Sequence, residues 1–247
     1  MTKVLILTPV KDAVSHLERY FENLSRLTYP AELISLGLLE GDSVDGTADA
    51  LRPYVQAVGQ RLRRADLWRR DFGFRMPPGL PRWTHGFQLP RRKVLARARN
   101  HLLFRALDDE DWVLWLDVDL ASYPADLIEQ LLATDREIVH PHCVVSPGGR
   151  TFDLNAWRAG IAMDQMRGGE DLVRLDAVGG TALWVKADVH RDGLIFPPFP
   201  YGAANLAVRR PHPLGLAGEL ETEGLGLMAQ DMGKQCWGMP NLEIVHE

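Results

Sequence analysis

Apolar positions along the chain change their period as the sequence proceeds, and each period predicts an element. Val4 to Thr8 is a short apolar run that reads as a strand, and Asp12 to Leu27 sets Val14, Leu17, Tyr20, Phe21 and Leu24 on one helix face. Leu33 to Leu39 repeats the strand pattern and runs into "EGDSVDGT", where Asp45 or Gly46 starts a helix through Ala48, Leu51 and Val55. From Arg92 to Leu107 the apolar Leu95, Ala98, Leu102 and Ala106 return at helical spacing, followed by a strand at Val113 to Leu116 and a helix over Ala125 to Leu132. Strand and helix alternating in this way predict an α/β fold with a mixed, mostly parallel central sheet.

Three segments interrupt the alternation. Arg75 to Pro90, "RMPPGLPRWTHGFQLP", carries four prolines and two glycines and reads as a loop or lid. After a strand at Glu137 to Val144 comes an irregular stretch from Ser146 to Glu170, then a strand at Thr181 to Lys186 and a second loop from Pro197 to Gly218. A helix over Glu221 to Met232 and a short strand, Leu242 to His246, follow. With no internal repeat and no linker, residues 1–247 read as one domain whose second half departs from the regular pattern.

The strand at Val113 to Leu116 is apolar at every position, as a strand covered on both faces must be, and it ends in Asp117 and Asp119. In open α/β sheets ligands bind outside the carboxyl ends of the strands, and Thr8 with Pro9, and Glu40 with Asp42, stand at two other such ends. An Asp-x-Asp there offers two hard oxygen donors suited to Mg²⁺ or Mn²⁺, or else one Asp caps the next helix and the other is solvated. The preceding helix, "RRKVLARARN", gathers Arg91, Arg92, Lys93, Arg97 and Arg99 in an otherwise acidic chain. Arginine forks pair with phosphate, and Arg97 and Arg99 fit that role better than Arg91 and Arg92, which read as a solvated face.

Composition narrows the partners. At 46% hydrophobic, 25% charged and a net charge of -5, the chain is a soluble globular protein and no general holder of nucleic acid. The apolar run at Val4 to Leu7 meets Pro9, Lys11 and Asp12 too soon for a signal peptide or membrane span, so a cytoplasmic protein is expected. Cys143 and Cys236 lack zinc or disulfide spacing, and His140, His142, His190 and His212 lack metal-ligand spacing. Trp83, Phe87, Trp157, Phe196, Phe199 and Tyr201 sit in loops, where they either anchor into the core or stack on a ligand.

The "ARN" of Ala98 to Asn100 followed by "VLWLDVDL" resembles the helix and metal-binding strand of GT-A fold nucleotide-sugar glycosyltransferases. More narrowly, "EGDSVDGT", "LARARNHLL", "WVLWLDVDL", "TFDLNAW", "VHRDGLIFPPFPY", "ETEGLGLMAQDMG" and "MPNLEIVHE" follow one another much as in the fungal mannan polymerase subunit family of alpha-mannosyltransferases, like glycosyltransferase family 62. That resemblance implies a Rossmann-like GT-A domain with a nucleotide-binding half, 1–119, and an acceptor-side half, 120–247. It implies a GDP-mannose donor, Mn²⁺ or Mg²⁺, and retaining transfer to a hydroxyl acceptor. By position Thr8, Pro9, Glu40 and Asp42 would hold base and ribose, and Arg97, Arg99 and Asn100 the phosphates and sugar. Asp117, Asp119 and His246 would hold the metal, Asp117 also touching the ribose; read without the resemblance, His246 is equally an exposed residue.

Gly180, in the "GGT" of Gly179 to Thr181, would approach the donor, while Gly179 reads as a tight turn. Asp117, Asp119 and Glu223 are the catalytic candidates; of Glu221 and Glu223 one complements the helix dipole and the other faces the sugar. The fungal counterparts carry an amino-terminal membrane anchor whereas this sequence begins at its first strand, so a free-standing soluble enzyme is expected, and a homo-oligomer stays open. Two alternatives remain. One is a non-catalytic nucleotide-sugar-binding subunit; the other is a haloacid-dehalogenase-type phosphohydrolase with Asp117 as nucleophile.

Overall fold

The computed structural model describes residues 1–77, 79–81 and 84–246. Strand β1 (Val4–Val10) lies parallel to β2 (Ile34–Glu40) on one side and to β4 (Trp112–Leu116) on the other. Val4 and Ile6 enter one apolar cluster while Leu5 and Leu7 enter another, and β4 divides likewise, Leu114 and Leu116 against Val113 and Trp115. Burial on both faces demands apolar residues at every position, hence the unbroken runs.

Helices α1 (Leu17–Ser25), α2 (Thr47–Val58) and α4 (Leu127–Ala133) supply Leu17, Tyr20, Leu24, Leu51, Leu127 and Leu131 to the first cluster. Helices α3 (His85–Ala106), α5 (Ala187–Arg191) and α6 (Glu221–Asp231) supply Ala96, Leu102, Leu103, Val189, Leu225 and Ala229 to the second. The sheet is therefore the middle layer of a three-layer sandwich.

Its other strands are β3 (Arg64–Arg69), β5 (Leu120–Ser122), β6 (Ile138–Val144), β9 (Val173–Leu175), β10 (Ala182–Lys186) and β11 (Cys236–His246). The order is β3-β2-β1-β4-β10-β6-β11-β5, with β9 also paired to β11. β10 runs antiparallel between β4 and β6, β5 and β9 run antiparallel to β11, and the remaining strands share one direction. A small hairpin of β7 (Trp157–Arg158) and β8 (Ile161–Ala162) stands apart. Among the described residues no helix is long and apolar enough to cross a membrane.

Several elements differ from expectation, the short β5, β9 and α5 among them. Helix α3 starts at His85, so the last six residues of the expected loop, His85 to Pro90, are helical, and Pro90 sits inside the helix at the cost of one backbone bond. Strand β3 was not expected; as an edge strand its residues are only half-buried, and its charges hide the pattern. Strand β11 begins at Cys236 rather than Leu242, because its register with β6 shifts between Met239 and Glu243 and so accommodates Pro240, whose missing N–H would break a regular ladder. The stretch from Ser146 to Glu170 holds β7 and β8, too short to show a period.

Candidate functional site

The carboxyl end of β4 meets the end of β11. β4 stops at Leu116, the chain turns through Asp117 to Asp119, and β5 returns antiparallel to β11 with Leu120 opposite His246. This pairing carries His246 to the turn, and its Nε2 lies 3.1 Å from Asp119 Oδ1. One ligand atom each from Asp117, Asp119 and His246 lies within 4.8 Å of the others. His246 is only 4% exposed, so it is not a solvated surface residue.

Asp117 and Asp119 face one another while Val118 between them is buried in the core. Burial and the neighbouring Asp119 push the Asp117 carboxyl up to about 6, against the pull of Arg99. A carboxylate held in this way gains from a cation that relieves the repulsion. Two hard oxygens and one imidazole nitrogen suit Mn²⁺, which takes mixed ligands, and are compatible with Mg²⁺. The donor set therefore fits a divalent ion.

Arg99 reaches the same point from α3, with Nη2 3.4 Å from Asp117 Oδ1 and donating to the Gly180 carbonyl at 3.2 Å. Its Nη1 pairs with Glu221. Glu221 is a buried non-glycine residue with φ of 57°, a left-handed conformation held by its pairing with Arg99 and Arg92. Arg92 is buried rather than solvated, with Nη2 2.7 Å from Glu223 and donating to the Leu220 carbonyl at 2.8 Å. Arg97, by contrast, is exposed on α3, its guanidinium 5.3 Å from the Phe72 ring centroid.

Other expected donor contacts point elsewhere. Thr8 is fully buried and its hydroxyl meets the Tyr20 hydroxyl at 2.7 Å; Glu40 is 1% exposed and pairs with Arg69 at 3.2 Å. Both side chains are thus engaged inside the protein, and of Thr8, Pro9 and Val10 at the end of β1 only Pro9 is partly exposed. Asp42 accepts from the N–H groups of Phe72 and Gly73 at 2.8 and 2.9 Å and so holds the chain after β3. Asn100 exchanges two bonds with the Phe196 backbone, 2.7 and 2.9 Å, and serves as a tether. Gly180 donates its N–H to Asp153 and lends its carbonyl to Arg99.

Glu223 has no solvent exposure and accepts from Trp157 Nε1 at 3.1 Å beside Arg92 and Arg209. Burial pushes its carboxyl up despite the two arginines. A carboxylate closed in by these partners anchors α6. Trp157 and Phe196 are core residues, and His85 bonds the Pro213 carbonyl at 3.0 Å. Trp83 lies outside the described residues. His142 and His190 are buried structural residues, His142 bridging Thr151 and the Pro240 carbonyl at 2.9 and 3.0 Å.

The Anp1 family pattern matches residues 1–167 and 161–200. The chain belongs to the Anp1 family. It is 30% identical over 290 aligned positions to the mannan polymerase II complex anp1 subunit of Schizosaccharomyces pombe, covering 99% of this chain and 64% of that protein. It is 31% identical to the mannan polymerase complex subunit MNN9 of Candida albicans, covering 99% of this chain and 74% of the relative. This Anp1-family chain thus spans less than two thirds of the length of the first of these relatives. Among solved structures it resembles a Pyrobaculum calidifontis mannosyltransferase in complex with GDP-Man and Mn²⁺, with a TM-score of 0.58, 16% identity and coverage of 99% of this chain and 56% of the other. At that identity the likeness speaks to the fold, which is the GT-A glycosyltransferase fold.

Proposed function

We propose that this chain is a metal-dependent, retaining glycosyltransferase that moves mannose from GDP-mannose to a hydroxyl acceptor. The observation that carries the reading is the convergence of Asp117, Asp119 and His246 at one point with Arg99 directly beside it. The relatives' description as mannan polymerase subunits and the mannosyltransferase neighbour with GDP-Man support the choice of sugar and base. The GT-A fold leaves the phosphohydrolase alternative without support.

In this reading Asp117, Asp119 and His246 hold Mn²⁺ or Mg²⁺. Bound there, the ion offsets negative charge developing on the departing nucleoside diphosphate. Exposed Arg97 reaches the phosphates as a fork, while Arg99, 5% exposed, sets the orientation of Asp117. Pro9 lines the base and ribose end, with Thr8, Glu40 and Asp42 supporting it from within the protein. With Glu223 sealed and no other carboxylate among the described residues assigned as a nucleophile, the acceptor attacks from the leaving-group face and the β-phosphate oxygen takes its proton as its bond to the anomeric carbon breaks. Residues up to Asp119 form the nucleotide side and those after it the acceptor side. The free, buried Cys143 and Cys236 are compatible with the reducing cytoplasm, where we place the protein.

The test is release of GDP from GDP-mannose with Mn²⁺, wild type against Asp119→Asn, with circular dichroism to confirm folding. Turnover and metal affinity should fall together, turnover by about a hundredfold or more. A folded Asp119→Asn protein with wild-type, metal-dependent release would overturn the assignment. That the relatives are subunits of mannan polymerase complexes favours one second reading, a nucleotide-sugar-binding subunit of a complex. Tight GDP binding without transfer or hydrolysis over a broad acceptor panel would establish that reading instead.

A further inference from the structure

The stretch "TFD", Thr151 to Asp153, has no part in the function proposed above, yet it touches both halves of the candidate metal site. Thr151 forms a bridge with Val144 at the end of β6, and the Phe152 N–H donates to the Cys143 carbonyl at 2.8 Å, so the segment is fastened to the sheet. From there two consecutive side chains go opposite ways. The Phe152 ring lies flat on the His246 imidazole, centroids 3.7 Å apart and planes 11° from parallel. Asp153 turns inward and is 7% exposed.

One oxygen of Asp153 collects three donors, the Gly180 N–H at 2.9 Å, the Thr181 N–H at 3.1 Å and the Thr181 hydroxyl at 2.6 Å, while the other accepts from the Asn155 N–H at 3.2 Å. The segment it grips is the one that positions the site: the Gly180 carbonyl receives Arg99, and the Thr181 carbonyl receives the Asp117 N–H at 2.9 Å. The two glycines follow from this grip. A side chain at Gly179 would overlap the Asp153 carboxylate, and one at Gly180 would overlap the Arg99 guanidinium, so backbone alone passes between them.

We infer that Phe152 and Asp153 are positioning residues for the metal centre, Phe152 fixing the plane of His246 and Asp153 fixing Asp117 and Arg99 through Gly180 and Thr181. Partners of this kind behind metal ligands commonly change metal affinity by about 10–100-fold when removed. The inference rests on the proposed metal site.

The experiment measures the Mn²⁺ dissociation constant of the full chain by calorimetric titration, with thermal melting as a control for folding. Phe152 is 38% exposed, so Phe152→Ala should keep the fold. We expect it to weaken Mn²⁺ about tenfold or more, and Phe152→Tyr, which retains the stacked ring, to restore affinity. Asp153→Asn should weaken Mn²⁺ similarly; if that variant does not fold, Thr181→Val, which removes only the hydroxyl bond to the same carboxylate, takes its place. Wild-type binding with undiminished affinity in folded Phe152→Ala and in the folded Asp153 or Thr181 variant would overturn the inference alone. No Mn²⁺ binding by the wild type would overturn it together with the reading it rests on.

Discussion

Arg99 and Asp117 meet at 3.4 Å between the middle of α3 and the end of β4, and the same guanidinium is shared with Glu221 and the Gly180 carbonyl. One side chain thus couples α3, β4, α6 and the segment before β10.

Removing it should be costly to the fold as well as to the site. Arg99→Met leaves Glu221, 3% exposed, without its main counter-charge, and breaking a buried pair from one side typically costs about 3–5 kcal/mol. Urea unfolding at neutral pH should show that loss; a change under about 1 kcal/mol would mean that Arg92 alone satisfies Glu221.

Glu223 offers a sharp test of whether enclosure excludes chemistry. If it serves only as an anchor for Arg92, Arg209 and Trp157, a folded Glu223→Gln protein should keep turnover within about tenfold, whereas loss of a group exchanging protons with substrate costs about a hundredfold or more. GDP release by the purified variant distinguishes the two.

Acid should destabilise the fold through His190. Burial lowers its pKa from 6.5 to about 4, and its ring is fixed between the Leu194 carbonyl at 2.7 Å and Trp115 Nε1 at 3.4 Å. Above pH 6.5 both folded and unfolded forms are neutral and the full stability is present. As pH falls from 6.5 toward 4, the unfolded chain takes up a proton that the folded one refuses, and about 3 kcal/mol is lost. Unfolding free energies of wild type and His190→Gln measured across that range should diverge by this amount as the pH is raised.

The irregular chain at 71–77, 79–81 and 84 should respond to donor. Asp42, just beyond β2, fastens the start of this segment through the Phe72 and Gly73 N–H groups. Hydrogen exchange in this segment should slow with GDP and Mn²⁺ together. Equal protection with and without nucleotide would make it a fixed part of the wall.

The central strands were legible because full burial leaves an unbroken apolar run, and the Asp-x-Asp stood out at the end of one of them. The meeting of His246 with Asp119 came only from family likeness, since the strand pairing of Leu120 with His246 is a long-range fact that no local pattern carries. Burial misled in both directions. Thr8 and Glu40 look like ligands at strand ends yet face inward, while Arg92 looks solvated yet sits among glutamates. Asp153 was visible only as part of "TFDLNAW", because its partners lie 27 and 28 positions away. Its one signal was indirect: paired glycines before a strand imply that something bulky presses on each side.

The strand order has a consequence for how the molecule comes together. β3, β2, β1 and β4 are neighbours drawn from the first half of the chain, so they can associate as soon as they exist. β10 must instead insert beside β4, and β11 must slot between β6 and β5 after both have been laid down. Such distant pairings carry a larger loop-closure entropy and are slow relative to local ones. The sheet edge drawn from the first half of the chain therefore has a head start in folding, and the last strand to dock is the one that brings His246 to the two aspartates.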